Sequence, residues 1–278
     1  MSAFTSRFAL NHMCAPSRSA TEFFDLASSV GVRGVEIRND LAGNAIVDGA
    51  PAAQIKRAAG ERGLRILSIN ALQRFNAWTP EREREARELA AYARDCGAQA
   101  LVLVPGNDGT GRANGERQAN LRIALKALRP ILEDAGIRGL VEPLGFEVCS
   151  LRLKSEALEA IRALQAESVF SLVHDTFHHF LAGEEALFPL DTGLVHISGV
   201  GDPSVAVPDM RDGHRILVDE HDRLGNAAQI RALLAGGYDG FFSFEPFSEL
   251  VHREAELETA LAASISLIER DALAPARV

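Results

Sequence analysis

Short apolar runs of β type recur along the chain, with longer helical stretches between them. They fall at Phe8 to Leu10, Val35 to Ile37, Ile66 to Ile69, Ala100 to Val104, Leu140 to Val141, Val169 to Val173, Leu194 to Ile197 and Phe241 to Phe244. The segments between them carry helical periodicity. Leu121, Ala124, Leu125, Leu128, Ile131 and Leu132 share one helical face, as do Ala86, Leu89, Ala90, Ala93 and Cys96. Thr79-Pro80 followed by Glu81, Glu83 and Glu85 supplies a cap, a first-turn proline and acids that favour a helix N-terminus, and Gly97 is a natural terminator. Gly31, Gly63, Gly97, Gly136 and Gly237 recur ahead of strands, where the turn from helix to strand needs left-handed backbone.

This alternation implies a parallel sheet with right-handed crossovers. Eight units with no Pro-rich or low-complexity linker predict an α/β protein closed into a (β/α)8 TIM barrel, an eight-stranded parallel barrel with outer helices. The 278 residues fit one such domain over 1–278, since the fold typically takes about 250. An open doubly wound sheet is the competing architecture. Its GxGxxG fingerprint is absent after the first strand, where the chain reads Asn11-His12-Met13-Cys14-Ala15-Pro16.

In a barrel the residues at strand C-termini converge on one mouth. Here they are polar on four successive strands: Val141-Glu142-Pro143, Val173-His174-Asp175-Thr176, Val195-His196-Ile197-Ser198 and Phe244-Glu245-Pro246. Any one of them has a plain explanation as a solvated loop carboxylate or a structural histidine. Three carboxylates facing one another in a partly desolvated mouth would repel, so their joint occurrence calls for a positive charge among them. A divalent ion held by Glu142, Asp175, His196 and Glu245 supplies it. Oxygen-rich ligation with one imidazole puts Mn²⁺ first, with Mg²⁺, Co²⁺, Fe²⁺ or Zn²⁺ as alternatives. The prolines of Glu142-Pro143 and Glu245-Pro246 cannot extend a ladder and turn the chain outward.

Other polar residues fall near the same mouth. His178 lies three residues past Asp175, and Asn11, His12, Glu36, Arg38 and Asn70 end or follow the first three strands. His178, His12 and Asn70 are read as substrate contacts, against helix capping for His178 and structural hydrogen bonding for Glu36 and Asn70. The stretch from Gly199 through Leu224 is long for a loop, which suggests a lid or binding loop. It carries Asp209, Arg211, Asp212, His214 and Arg215. Arg215 is read as pinning a substrate oxygen or orienting a ligating carboxylate.

Composition narrows the partners. A formal net charge of −9 argues against a partner held through its phosphates, so no nucleic acid is expected. No apolar run approaches the roughly 18 residues of a membrane span, and Arg7, Asn11 and His12 interrupt the N-terminal segment, so the expectation is a cytoplasmic protein with no membrane partner. Cys14, Cys96 and Cys149 lack CxxC spacing and read as buried thiols. Self-association into a homo-oligomer is compatible with all of this.

On these motifs, together with Leu144-Gly145, Phe177-His178 and the stretch Asn70-Ala71-Leu72-Gln73-Arg74-Phe75-Asn76, the chain resembles the sugar isomerase and epimerase superfamily of xylose-isomerase-like barrels. Within it the chain looks most like 2-keto-myo-inositol (inosose) isomerases. The resemblance implies that Glu142, Asp175, His196 and Glu245 ligate the metal and that His178 and Arg215 lie near the substrate. It implies too that Glu142 and Glu245 exchange protons from opposite sides of a keto sugar or cyclitol. A dehydratase of inosose or dehydroshikimate type is the rival reading, because the same base could expel a β-hydroxyl. A non-catalytic sugar-binding module is another. The superfamily's resemblance to abasic-site endonucleases extends to the Asp175-x-x-His178 and Asp212-x-His214 spacings, but Glu36 and Asn70 stand at early strand ends where those enzymes place extra histidines.

Overall fold

A computed structural model describes residues 7–41, 49–113 and 115–273. The expected extent of the domain, 1–278, takes in residues 1–6 and 274–278, which lie outside the described residues. The strands are β1 (Phe8–Asn11), β2 (Gly34–Arg38), β3 (Arg65–Gln73), β4 (Ala100–Val104), β5 (Arg138–Val141), β6 (Phe170–Asp175), β7 (Thr192–Ile197) and β8 (Phe242–Phe244). All neighbours are parallel, and β8 pairs with β1, so the sheet closes into the expected barrel. Around it, among the described residues, run α1 (Ala20–Val30), α2 (Ala52–Glu61), α3 (Pro80–Cys96), α4 (Glu116–Ala135), α5 (Lys154–Ala163), α6 (Thr176–Ala182), α7 (Asn226–Ala235), α8 (Glu249–His252) and α9 (Leu257–Leu273).

The period of two sorts the strand side chains into two layers. Phe8, Leu10, Val35, Ile37, Leu101, Leu103, Val195, Ile197, Phe242 and Phe244 pack outward with the apolar faces of the helices. Ala9, Leu67, Ala71, Ala100, Val102, Leu140, Val173 and Leu194 form a separate inner cluster that fills the barrel as a core. Closure needs a small residue at Gly34, where a Cβ would sit 2.7 Å from Leu67 Cδ1 and 3.0 Å from Ala9 Cβ. Above this floor the inner positions turn polar: Asn11 pairs in register with Glu36, Glu36 with Ser68, and Asp175 with His196.

Local signals place the helices. Thr79 Oγ1 accepts from Arg82 N–H at 3.2 Å to open α3, and Gly97 closes it at φ 80°. Several strands run further than their apolar cores suggested. β3 extends through Asn70 to Gln73 and β6 through Asp175, while β7 ends at Ile197 as expected and so includes His196. Polar side chains in the closed interior keep the ladder intact because only their backbones pair. Cys14, Cys96 and Cys149 are buried and free. No helix among the described residues is long and apolar enough to cross a membrane.

Candidate metal centre

Each of the four ligand candidates is fixed by backbone chemistry at a strand end. Glu142 N–H donates to Leu103 O at 3.1 Å and Glu245 N–H to Ile197 O at 2.9 Å, so each glutamate continues its ladder one step past its strand. Pro143 and Pro246 then offer no N–H, and the chain leaves the barrel. Asp175 ends β6 and caps α6: its Oδ1 accepts from the N–H groups of Phe177 at 2.8 Å and His178 at 3.0 Å, which leaves Oδ2 for the mouth. His196 projects from β7 inside the barrel, fully buried.

One ligand atom from each of Glu142, Asp175, His196 and Glu245 lies within 4.8 Å of all the others. His196 Nδ1 stands 2.8 Å from Glu142 Oε1, 3.2 Å from Glu245 Oε2 and 4.0 Å from Asp175 Oδ2. Its Nε2 is 3.1 Å from the carboxylate of Glu36 on the opposite wall. Two guanidiniums complete the set. Arg215 donates to Asp175 Oδ2 at 2.6 Å, Glu245 Oε2 at 3.0 Å and Ser198 Oγ at 3.0 Å. Arg38 donates to Glu245 Oε1 at 2.7 Å, and Asn11 Nδ2 donates to the same oxygen at 3.0 Å. Outward, Arg38 pairs with Asp40 and Arg215 with Asp212.

The electrostatics follow from this crowding. Burial alone would lower the pKa of His196, yet Glu245, Glu36 and Glu142 carry it well above the ordinary imidazole range. Burial raises Glu142, with His196 working against the rise and the Glu245 and Asp175 charges adding to it. Glu245 is held well below the usual carboxylate range, because His196, Arg215 and Arg38 outweigh its burial. The two glutamates therefore differ: both oxygens of Glu245 accept from charged or amide donors, whereas Glu142 meets the imidazole alone among these groups. Four buried carboxylates (Glu36, Glu142, Asp175, Glu245) face two guanidiniums, so once His196 is neutral and Glu142 ionised, as metal ligands are, the mouth carries an excess of negative charge that a divalent cation would balance. The donor set, three carboxylates and one imidazole, fits such an ion.

The remaining residues singled out from sequence take varied places. Arg215, fully buried, donates to two of the candidate ligand carboxylates, Asp175 and Glu245. His178 sits on the first turn of α6, edge-on to Phe146 and Phe177, and its Nδ1 is buried with no hydrogen-bond partner among the described residues. Asn70 gives its amide to Glu36 Oε2 at 2.7 Å and to Ser68 Oγ at 3.1 Å. His12 stacks on Phe23 with ring centroids 4.4 Å apart, places Nε2 2.9 Å from Arg18 O, and has its pKa lowered by burial to about 4. The stretch after β7 folds back on itself through an antiparallel bridge between Gly199 and Ile216, and its Val200, Met210 and Leu224 pack with Phe177. This small core carries Arg215 inward. Beside the mouth lies a cleft of about 430 Å³ whose walls include Phe146 and Asp212, the neighbours of His178 and Arg215.

Sequence reasoning placed Arg38 and Asn11 near the mouth without finding their contact with Glu245. The signal lay in β2, where Glu36 and Arg38 are two residues apart on one face of a strand whose Val35 and Ile37 pack outward.

Solved structures repeat this architecture. A xylose isomerase domain containing protein from Salmonella typhimurium LT2 is 36% identical, with a TM-score of 0.89 over 96% of this chain and 99% of its own. The IolI protein, solved with a bound zinc atom, is 18% identical, with a TM-score of 0.83 over 95% of this chain and 99% of its own. D-psicose 3-epimerase from Clostridium cellulolyticum H10, solved with D-tagatose, is 13% identical, with a TM-score of 0.72 over 96% of this chain and 99% of its own. The last two likenesses show the fold alone. No curated protein matches the chain in sequence. Residues 24–269 match the family described as xylose isomerase-like TIM barrel, and with a closed eight-stranded barrel around a buried Glu, Asp, His and Glu cluster, the chain belongs to that family.

Proposed function

We propose that the protein is a divalent-metal-dependent isomerase or epimerase of a keto sugar or cyclitol, with 2-keto-myo-inositol as the first substrate to test. The observation that carries this reading is the convergence of Glu142, Asp175, His196 and Glu245 to within 4.8 Å in a buried, negatively charged mouth. The zinc of the IolI protein and the ketose held by D-psicose 3-epimerase belong to those proteins, and they support a metal and a polyhydroxy ketone here.

A divalent ion held by these four residues would supply the charge that polarises a carbonyl and acidifies the adjacent C–H, with Mn²⁺ our first choice. The chain's own groups do the rest. Glu142, the less encumbered glutamate, takes the proton from the carbon beside the carbonyl. The electron pair of that C–H bond becomes the double bond of an enediolate. Returning the proton to the other carbon, as the hydroxyl proton passes to the former carbonyl oxygen, moves the carbonyl; protonation of the same carbon from the opposite side by Glu245, after it has taken a proton from solvent and with Glu142 releasing its own afterwards, inverts its configuration. Positioned acid and base groups of this kind contribute roughly 10²–10⁴-fold. Arg215 holds Asp175 and Glu245 in place, Arg38 holds Glu245, and His178 stands beside Asp175 for a substrate oxygen.

Incubation of metal-reconstituted protein with a panel of inososes and ketoses in D₂O, followed by NMR, tests the proposal. Deuterium uptake beside the carbonyl together with conversion to an isomer is expected. Loss of water instead would assign a dehydratase, and no exchange with any member of the panel would remove the catalytic reading.

A further inference from the structure

Glu36 lies outside the four-residue cluster, yet it is as deeply buried as any part of it. Its carboxylate, on β2, stands 3.1 Å from His196 Nε2, which comes from β7 across the barrel, and both side chains are 0% exposed. Three donors fix it from the neighbouring strands: Ser68 Oγ at 2.6 Å, Asn70 Nδ2 at 2.7 Å and Asn11 Nδ2 at a longer 3.4 Å. These contacts follow from register, since Asn11 and Ser68 are the strand partners of Glu36 on either side.

A neutral imidazole carries one N–H, and whichever nitrogen holds it is set by what the other faces. A proton on Nε2 donates to Glu36 and leaves the Nδ1 lone pair aimed at the point where Glu142, Asp175 and Glu245 converge. A proton on Nδ1 instead would set a bare Nε2 lone pair directly against an anionic carboxylate 3.1 Å away. We infer that Glu36 is a positioning residue for the metal centre, holding His196 in the Nε2–H tautomer so that Nδ1 faces the ion. Asn70, read from sequence as a substrate contact, then acts one step further back by holding Glu36. The inference rests on the metal reading and adds to it a residue that touches neither ion nor substrate.

Zinc, being diamagnetic, is the probe. Wild-type protein titrated with zinc alone, with a competing chelator to fix the affinity, tests the metal reading first. If it binds no zinc, both readings fall. With zinc bound, the ¹⁵N signals of His196 are expected to show a protonated Nε2 and a ligating Nδ1; the reverse assignment overturns the role of Glu36 while leaving the metal site standing. Glu36→Gln keeps an acceptor and the volume, and Glu36→Leu keeps neither charge nor acceptor. Zinc affinity is expected to fall about tenfold in the first and about a hundredfold in the second, the range typical of partners behind a ligating histidine. An affinity within about twofold of wild type in the folded Glu36→Gln variant overturns the proposal, whatever happens to the leucine variant. Asn70→Ala is expected to weaken zinc binding by about threefold to tenfold. Zinc affinity in Asn70→Ala equal to that of wild type would remove Asn70 from this chain of contacts.

Discussion

The guanidinium of Arg215 donates to Asp175 Oδ2 across 2.6 Å, with neither side chain more than 1% exposed. The arginine arrives from the segment after β7 and the aspartate from the end of β6, so this one contact ties the folded-back loop to the floor of the mouth. Burial would depress the arginine's pKa, but Asp175, Glu245 and Asp212 raise it, and it stays charged throughout the working range.

Removing that charge leaves Asp175 and Glu245 buried against each other. Arg215→Ala is expected to destabilise the metal-free protein by about 3–5 kcal/mol, the usual cost of breaking one side of a buried pair. Bound metal takes over part of the compensation, so the loss should shrink when the ion is present. Denaturant unfolding of both forms, with and without zinc, measures the difference; equal losses in the two would separate Arg215 from the metal centre.

Glu142→Gln and Glu245→Gln keep shape while removing the proton carrier. Each is expected to slow solvent exchange at the substrate's reacting carbon by at least about 10²-fold with the far-ultraviolet spectrum unchanged. Wild-type exchange in either variant, followed by NMR in D₂O, would end that residue's catalytic role.

Metal binding should release protons. In the ion-free site His196 is raised well above the usual imidazole range by Glu245, Glu36 and Glu142 against its own burial, and Glu142 is raised by burial. Both are therefore more protonated than free side chains, and a cation must displace those protons from the ligand atoms. Affinity for zinc or manganese is expected to rise with pH and to weaken as pH falls. Calorimetric titrations at about pH 6 and about pH 8, each in two buffers of different ionisation enthalpy, read the proton release directly. Binding that is independent of pH would contradict the protonated imidazole.

Gly145 makes a sharper steric prediction. A Cβ there would lie 2.2 Å from His178 O, 2.7 Å from Leu181 Cβ and 2.8 Å from Ala182 N, so α6 packs directly on the backbone that follows Glu142. Gly145→Ala is expected to cost about 1–3 kcal/mol through overpacking and to loosen α6, visible as faster amide exchange from Thr176 to Ala182. A variant as stable as wild type, with unchanged exchange, would show that the helix can shift freely.

Much of the centre was legible in the sequence because barrel geometry converts chain order into convergence. Once eight β/α units are counted, the residue at each strand end is known to face one mouth, and Glu142, Asp175, His196 and Glu245 follow without coordinates. The extent of β3 was less legible, since a strand that ends among inward polar groups has no apolar run to mark its last residues.

What the sequence alone determined is the alternation of buried strands and amphipathic helices, the caps at Thr79 and Gly97, and the set of acids and imidazole at four strand ends. These are local matters of period, propensity and backbone hydrogen bonding. Only the tertiary structure decided that Glu36 stands behind His196, that Arg38 and Asn11 hold one oxygen of Glu245 while Arg215 holds the other, and that Lys154 Nζ sits between His174 Nδ1 and His179 Nδ1 at 2.9 and 3.0 Å. Such partners are set by which way side chains turn across a closed lumen or between packed layers, and no spacing along the chain encodes a distance across a barrel.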